Sequence, residues 1–371
     1  MPVTVCLLNG KPGYKWGASG KCYTYSPGQE GTRKRAKRKA AIQGYAAHQS
    51  GYRGDAVAVA VQLRQAKQEH LMRRIRIRKP PKMIVPRTIE YAYQQQLLQF
   101  VDEWRRQYMQ IVDPQLELLA LDAYANRPEA SSNIKGDALH SDSWVTDFTR
   151  IMGTLEIAID RTVPRVQDVS LNIAEETTRW NQRQWRKTVR SIVGVDIFTR
   201  EPWLNEQIES FTRENVTLLK KLARETKEDI EGIVNRGFRA GKRISSIRKE
   251  ILDGTKLAAG RFKKTRTRAE LIARDQVNKL NGQLTELRQT ELGLSQYYFE
   301  TASDERVRSS HAAMNGKLCR WDDATVYKNG PEDKRWKQRS SIGGIEKHPG
   351  EDYQCRCYAA ADFSTIVEGN F

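Results

Sequence analysis

The 371 residues contain no uninterrupted apolar run of about eighteen residues, so no membrane-spanning helix is expected. The opening Met1-Pro2-Val3-Thr4-Val5-Cys6 has no basic stretch leading into a long apolar one. A secretory leader is therefore not expected, and synthesis in the cytosol is. Histidine occurs only five times and never as His-Glu-x-x-His, which removes the commonest zinc-hydrolase signature. The run Gly254-Thr255-Lys256-Leu257-Ala258-Ala259-Gly260 is followed by Arg261-Phe262 rather than by Lys-Ser or Lys-Thr, so it fails as a nucleotide phosphate loop. Cysteine is scarce too, with five in all: Cys6, Cys22, Cys319, Cys355 and Cys357. An odd number without a leader argues against a disulfide framework and leaves metal ligation or reduced thiols. Hydrophobic residues make up only 39% against 29% charged, a balance that suits long solvated helices and extended arms around a modest core.

The most uneven shortage is of acids near the N-terminus. Residues 1–80 hold 17 Lys and Arg against 3 Asp and Glu, while the remaining residues hold 46 against 42. The net charge of +18 is thus concentrated in one segment. Two runs carry it, Arg33-Lys34-Arg35-Ala36-Lys37-Arg38-Lys39 and Arg73-Arg74-Ile75-Arg76-Ile77-Arg78-Lys79. Charge runs are usually solvated helical faces, but such faces carry acids for intrahelical pairing, and these are nearly absent. The first run shows no apolar face. A polyanion-binding arm that holds phosphates without reading sequence is the expectation, with Arg33, Lys34, Arg35, Lys37, Arg38, Lys39, Arg73, Arg74, Arg76, Arg78 and Lys79 as its contacts. Tyr14, Trp16, Tyr23, Tyr25, Tyr45 and Tyr52 interleave with the cations, so stacking on bases is compatible but unneeded. Arg261, Lys263, Lys264, Arg266 and Arg268 suggest a smaller second patch.

The pattern along the chain predicts a mainly α protein, with extended helical N-terminal and middle regions and a small α+β module at the C-terminus. Gly10-Lys11-Pro12-Gly13 and Gly17-Ala18-Ser19-Gly20 mark turns of an N-terminal hairpin, with a short strand at 23–25. Residues 1–79 then form the basic arm, helical from 32, and Pro80, Pro81 and Pro86 mark a linker at 80–88. A helical region follows over 89–200. Its helices are placed at 91–111, 144–163 and 171–193, with a loop at 126–140 and ends at Pro164 and Gly194. Trp104, Tyr108, Trp180, Trp185 and Trp203 are more aromatic surface than thin helices bury, which predicts an exposed apolar strip. From 201 onward Ile208, Phe211, Leu218 and Leu222 share a face, and Ile230, Ile233, Val234 and Phe238 build the next. Gly237 and Gly241 punctuate a turn. A long helix spans 269–292, a strand starts at Tyr297, and the rest is short polar segments.

Four features of the region 204–360 resemble the phage Mu F-like head-morphogenesis family. They are the helix with Asn215-Val216, the 230–252 segment, and the helix holding Arg274 and Asn278. The last is the run from Tyr298 to His311, with its Asp-x-Arg-x-Arg-x-x-His core, closed by Pro349-Gly350-Glu351-Asp352-Tyr353-Gln354-Cys355-Arg356-Cys357. The resemblance sets the domain at 201–371. It implies a minor head protein of the virion interior, associated with the portal and packaged double-stranded DNA and passing through the host cytoplasm during assembly. It implies no enzymatic activity and no membrane. Portal, inner capsid and scaffold are the expected protein partners, and the isolated chain is expected to be oligomeric or ordered by a partner. A virion-packaged metal-dependent nuclease using His311, Asn315 and His348, and an assembly factor absent from mature virions, remain as alternatives.

The Cys-Arg-Cys unit has its own chemistry. Residues i and i+2 of an extended segment point to one face, so Cys355 and Cys357 can meet one metal with His311 as third ligand. Cys319, His348 or Asp304 is the candidate fourth. One structural zinc is one reading; the other is a metal-free knot in which Asp304 pairs with Arg306 or Arg356 and the thiols are buried. Both readings make Asp304, Arg306, Arg308 and Arg356 structural and return the Cys pair beside His311. Cys6 and Cys22 lie across the hairpin, as free thiols, a small zinc site with His48, or a disulfide.

Overall fold

The computed structural model describes residues 3–17, 20–49, 81–125, 143–193, 201–254 and 258–364. The second basic run, the expected loop at 126–140 and the expected stop at Gly194 lie outside these residues. The described chain is mainly helical, with two small antiparallel sheets, as the sequence pattern predicts. No helix among the described residues is long and apolar enough to cross a membrane.

The N-terminal sheet comprises β1 (Val3–Leu8), β2 (Lys11–Trp16) and β3 (Tyr23–Thr24) in that order, all antiparallel. Gly10 supplies the left-handed backbone of the first turn at φ 73°. Helix α1 (Glu30–Gln49) packs on this sheet through a narrow face of alanines: Ala36 and Ala40, one turn apart, lie against Tyr14. The expectation that this run has no apolar face is therefore corrected. Side chains as small as alanine are enough where the opposing strand carries the bulk. Cys6 and Cys22 form a disulfide. Gly13 pairs with Cys6, and a Cβ on Gly13 would lie 2.8 Å from the Cys22 sulfur, so only glycine leaves room there.

The middle helices are α2 (Arg87–Ile111), α3 (Leu116–Ala125), α4 (Ser143–Asp160) and α5 (Val163–Val193); then come α6 (Leu204–Arg239), α7 (Ile244–Leu252) and α8 (Arg261–Glu291). Helix α5 starts eight residues before the expected 171, because Pro164 sits in its first turn, where a missing N–H costs nothing. Likewise, 204–239 is one helix that runs through Gly237, and the chain turns at Gly241, whose φ is 63°. The C-terminal sheet has the order β7 (Lys337–Gln338), β6 (Asp323–Lys328), β5 (Lys317–Arg320), β4 (Gln296–Glu300), β8 (Tyr358–Ala361). A single turn of helix, α9 (Ser309–Ala312), follows β4.

The chain divides into two compact units interleaved in sequence. One takes residues 1–85, 178–206 and 279–371; the other takes 86–177 and 207–278. This division does not follow the expected boundary at 200–201, because α5, α6 and α8 each contribute residues to both units. In the second unit a buried polar chain ties three helices together. The Tyr93 hydroxyl donates to Asn215 Oδ1 at 2.8 Å, and Asn215 Nδ2 donates to Gln276 Oε1 at 3.1 Å. Arg274 and Asn278 both reach Glu90 of α2, at 3.2 and 3.5 Å.

The five aromatics expected to leave an exposed apolar strip on the middle helices are not themselves exposed. Trp104, Tyr108 and Trp185 are buried, and Trp180 and Trp203 are half-buried. Within its own unit, Trp104 donates its indole N–H to Thr162. Trp185 packs with Leu292, Leu294 and Phe363. Both indoles find partners far away in sequence, Thr162 for Trp104 and Leu292 for Trp185, so a helix does not have to cover them alone.

Candidate functional site

The C-terminal module builds its core from aromatics rather than aliphatics. Strand β4 alternates, placing Tyr297 and Phe299 inward at full burial, and Met314, Cys319, Trp321, Tyr327 and Ala359 complete the cluster. Two polar side chains tie the loops to this core. Arg339 is fully buried, yet its guanidinium donates to the carbonyls of Val326, Ile345 and Lys347 and to the Tyr297 hydroxyl. Gln289 of α8 donates to the Ala359 carbonyl and accepts the Trp321 indole N–H. Neither Arg339 nor Gln289 stands out in the sequence, since each works through segments distant along the chain.

The Cys-Arg-Cys segment returns beside α9. His311, Cys355 and Cys357 offer ligand atoms that all lie within 4.8 Å of one another, and among the described residues no other group of this kind occurs. The Nδ1 atom of His311 faces both sulfurs, at 3.3 Å from Cys357 and 3.7 Å from Cys355. Its Nε2 meets a carboxylate oxygen of Asp352 at 3.1 Å. Asp352 is also held by Arg308 at 2.6 Å and Lys347 at 2.8 Å. Asp304 takes a two-pronged contact from Arg356, at 2.5 and 2.8 Å. Thus Arg308 and Arg356 each have an acidic partner, whereas Asp304 does not orient the histidine; Asp352 does. Arg306 gives its backbone N–H to Asp304, and its charge also favours that carboxylate. The spacing Arg-x-x-His signals the Arg308 role, since both side chains converge on one carboxylate, but nothing local marks Asp352 as that carboxylate.

Electrostatics of the cluster follow from these contacts. The hydrogen bond shared with Cys357, with help from His311 and the N–H groups of Gly350 and Cys357, pulls the Cys355 thiol well below its ordinary range despite burial. The same shared bond and burial push Cys357 the opposite way. The contact with Cys355 raises His311, and Asp352 adds to it. The arrangement thus offers one imidazole nitrogen and two sulfurs to a soft cation, with a carboxylate fixing the ring.

The expected fourth ligands are elsewhere. Cys319 is buried in the aromatic cluster, where burial pushes its thiol up to about 11. His348 meets the Tyr297 hydroxyl through Nδ1 at 2.8 Å, and Asn315 Oδ1 accepts from the N–H and hydroxyl of Thr301. His311, Asn315 and His348, the set of the nuclease alternative, thus each bond to a different partner.

Of the basic arm, the six cations of the first run lie on α1, with Arg33, Arg35, Lys37 and Lys39 exposed and Lys34 and Arg38 half-buried. Arg33 also donates to the Tyr14 hydroxyl at 3.0 Å. Helix α1 holds one acid, Glu30, at its first residue. Arg73, Arg74, Arg76, Arg78 and Lys79 lie outside the described residues. The second patch proves to be largely paired: Arg261 meets Asp229, Arg266 meets Asp102, and Arg268 meets Glu225. A group not singled out by the sequence, Arg183, Arg186, Lys187 and Arg190 of α5, lines a depression of about 460 Å³.

A helix-backed five-stranded antiparallel module with a Cys/His cluster at its closing segment is thus the chemically distinctive part of the chain. Residues 228–360, which contain it, match the family described as phage Mu protein F like protein. The chain is also 27% identical over 201 residues to an uncharacterized protein of Haemophilus influenzae, covering 53% of this chain. It spans only 39% of that relative's length. No solved structure matches the chain.

Proposed function

We propose that the protein is a phage minor head protein that works in head morphogenesis on the inner side of the head, next to the portal, and holds packaged DNA without reading its sequence. The match of residues 228–360 to the phage Mu protein F like family carries the head assignment. The concentration of charge carries the DNA assignment: 17 cations against 3 acids in residues 1–80, with six of the cations on one described helix, α1. The role is structural rather than catalytic, and the location is the virion interior after assembly in the host cytoplasm. Mass spectrometry of purified particles should find the chain in the head. Its absence would favour an assembly factor that leaves before maturation.

DNA binding is tested through salt. If the arm makes ~6 phosphate contacts, log affinity should fall against log salt with a slope of roughly −5. Replacing Arg33, Lys34, Arg35, Lys37, Arg38 and Lys39 by Gln should flatten that slope, and a chain starting at Lys82 should lose most of it. Unchanged slopes in both forms would falsify the arm assignment. Base composition should matter little, since phosphate contacts position a protein without specifying sequence.

A further inference from the structure

We infer that His311, Cys355 and Cys357 form a zinc site, with the cation held by Nδ1 of the imidazole and by both thiolates. The inference does not depend on the head-protein reading. Four observations carry it together. The three ligand atoms converge within 4.8 Å of one another, from α9 and from the segment before β8. The imidazole turns one nitrogen to the sulfurs and the other to Asp352, the arrangement in which a carboxylate fixes the tautomer and raises the basicity of a metal-bound histidine. The backbone N–H groups of Gly350 and Cys357 point at the Cys355 sulfur, at 3.5 and 3.4 Å, as is usual where a sulfur carries negative charge. Charge is also matched at the ligands: two thiolates balance the dication, while Arg308 and Lys347 hold Asp352 in place. A disulfide between Cys355 and Cys357 would use neither the histidine nor its carboxylate.

Two sulfurs and one imidazole favour zinc over calcium or magnesium, which take oxygen ligands. Burial of His311 and Cys355 favours a structural role, closing the loop from α9 to β8 around a core with few aliphatics. Binding releases the thiol protons to solvent and changes no oxidation state.

The test uses the purified full chain under reducing conditions, without chelator. Elemental analysis should give about one zinc per chain, as a single four-coordinate site requires. The content should be lost in Cys357→Ser and in His311→Ala. It should be retained in Cys319→Ser, whose sulfur is buried away from the cluster. To separate loss of metal from loss of fold in the first two variants, the wild-type chain stripped of metal should also be titrated with Co²⁺. Thiolate-to-cobalt charge-transfer bands and the d–d bands of a tetrahedral site should saturate at one equivalent. A wild-type chain that holds no zinc and gives no cobalt spectrum overturns the proposal. So does zinc lost as completely from Cys319→Ser as from Cys357→Ser, or a Cys355–Cys357 disulfide found in place of metal.

Discussion

Asp304 is the residue whose contribution reads most directly in solution. Its two-pronged hydrogen bond from Arg356 holds the carboxyl below its ordinary 3.8, against an opposing effect of desolvation. A depressed carboxyl stabilises the folded state above the unfolded value, and that contribution is lost as pH falls through the lower folded value. The C-terminal module should therefore lose protease resistance after residue 296 as pH drops below about 4. Asp304→Asn should weaken it at neutral pH and make this acid limb shallower. Some slope should survive, because Asp322, Asp323, Asp333 and Asp352 are depressed as well. An acid limb identical in the two proteins would show that the pair contributes nothing. The pairing of Asp304 with Arg356 was legible because a carboxylate at one end of the module and an arginine between two cysteines at the other have few other uses. Asp352 and Arg339 were not. Their partners are a ring, a hydroxyl and carbonyls brought in by chain returns that no local pattern encodes.

At the scale of elements, helix α6 shows what periodicity can and cannot give. Its buried face was legible from Ile230, Ile233, Val234 and Phe238, which recur at three- and four-residue steps, and from Phe211 and Leu222 three turns apart. Its continuity was not, because Gly237 reads as a breaker. In the structure Gly237 is interior helix, and a Cβ there would meet Cδ1 of buried Ile247 at 2.5 Å and Cγ1 at 2.7 Å. The glycine is there for the close approach of α7, not for a turn. Gly237→Ala should gain ~1 kcal/mol of helix propensity but lose about 1–3 kcal/mol to overpacking, so the melting temperature should fall. Adding Ile247→Val should recover part of the loss. A Gly237→Ala protein that melts higher than wild type would show that α7 shifts freely. Pro164 teaches the converse: a residue read as a stop marks the first turn of α5.

For the whole molecule, the informative feature is that neither compact unit is a continuous stretch of chain. The family match covers 228–360 and so begins inside α6. A fragment 201–371 retains that match but lacks 86–177, against which residues 207–278 are packed in their unit, and lacks 178–200 of the other. It should show helical circular dichroism without a sharp cooperative melt, whereas a chain from residue 81 onward should keep one. A sharp two-state transition in the 201–371 fragment would show that the interleaving carries little stability. This arrangement was invisible in sequence, since composition and periodicity report neighbours along the chain and the units are defined by distant segments.

The interleaving also sets a clock on synthesis. The helices of residues 86–177 leave the ribosome with part of their apolar surface uncovered, and the segment they pack with, 207–278, is complete only about a hundred residues later. At ~5–20 residues per second that is roughly five to twenty seconds of exposure. The segment 178–206 waits as well, until 279–371 has been made. For those seconds the nascent chain is a natural client for chaperones, and the basic N-terminal segment is already outside before the rest of the protein has folded.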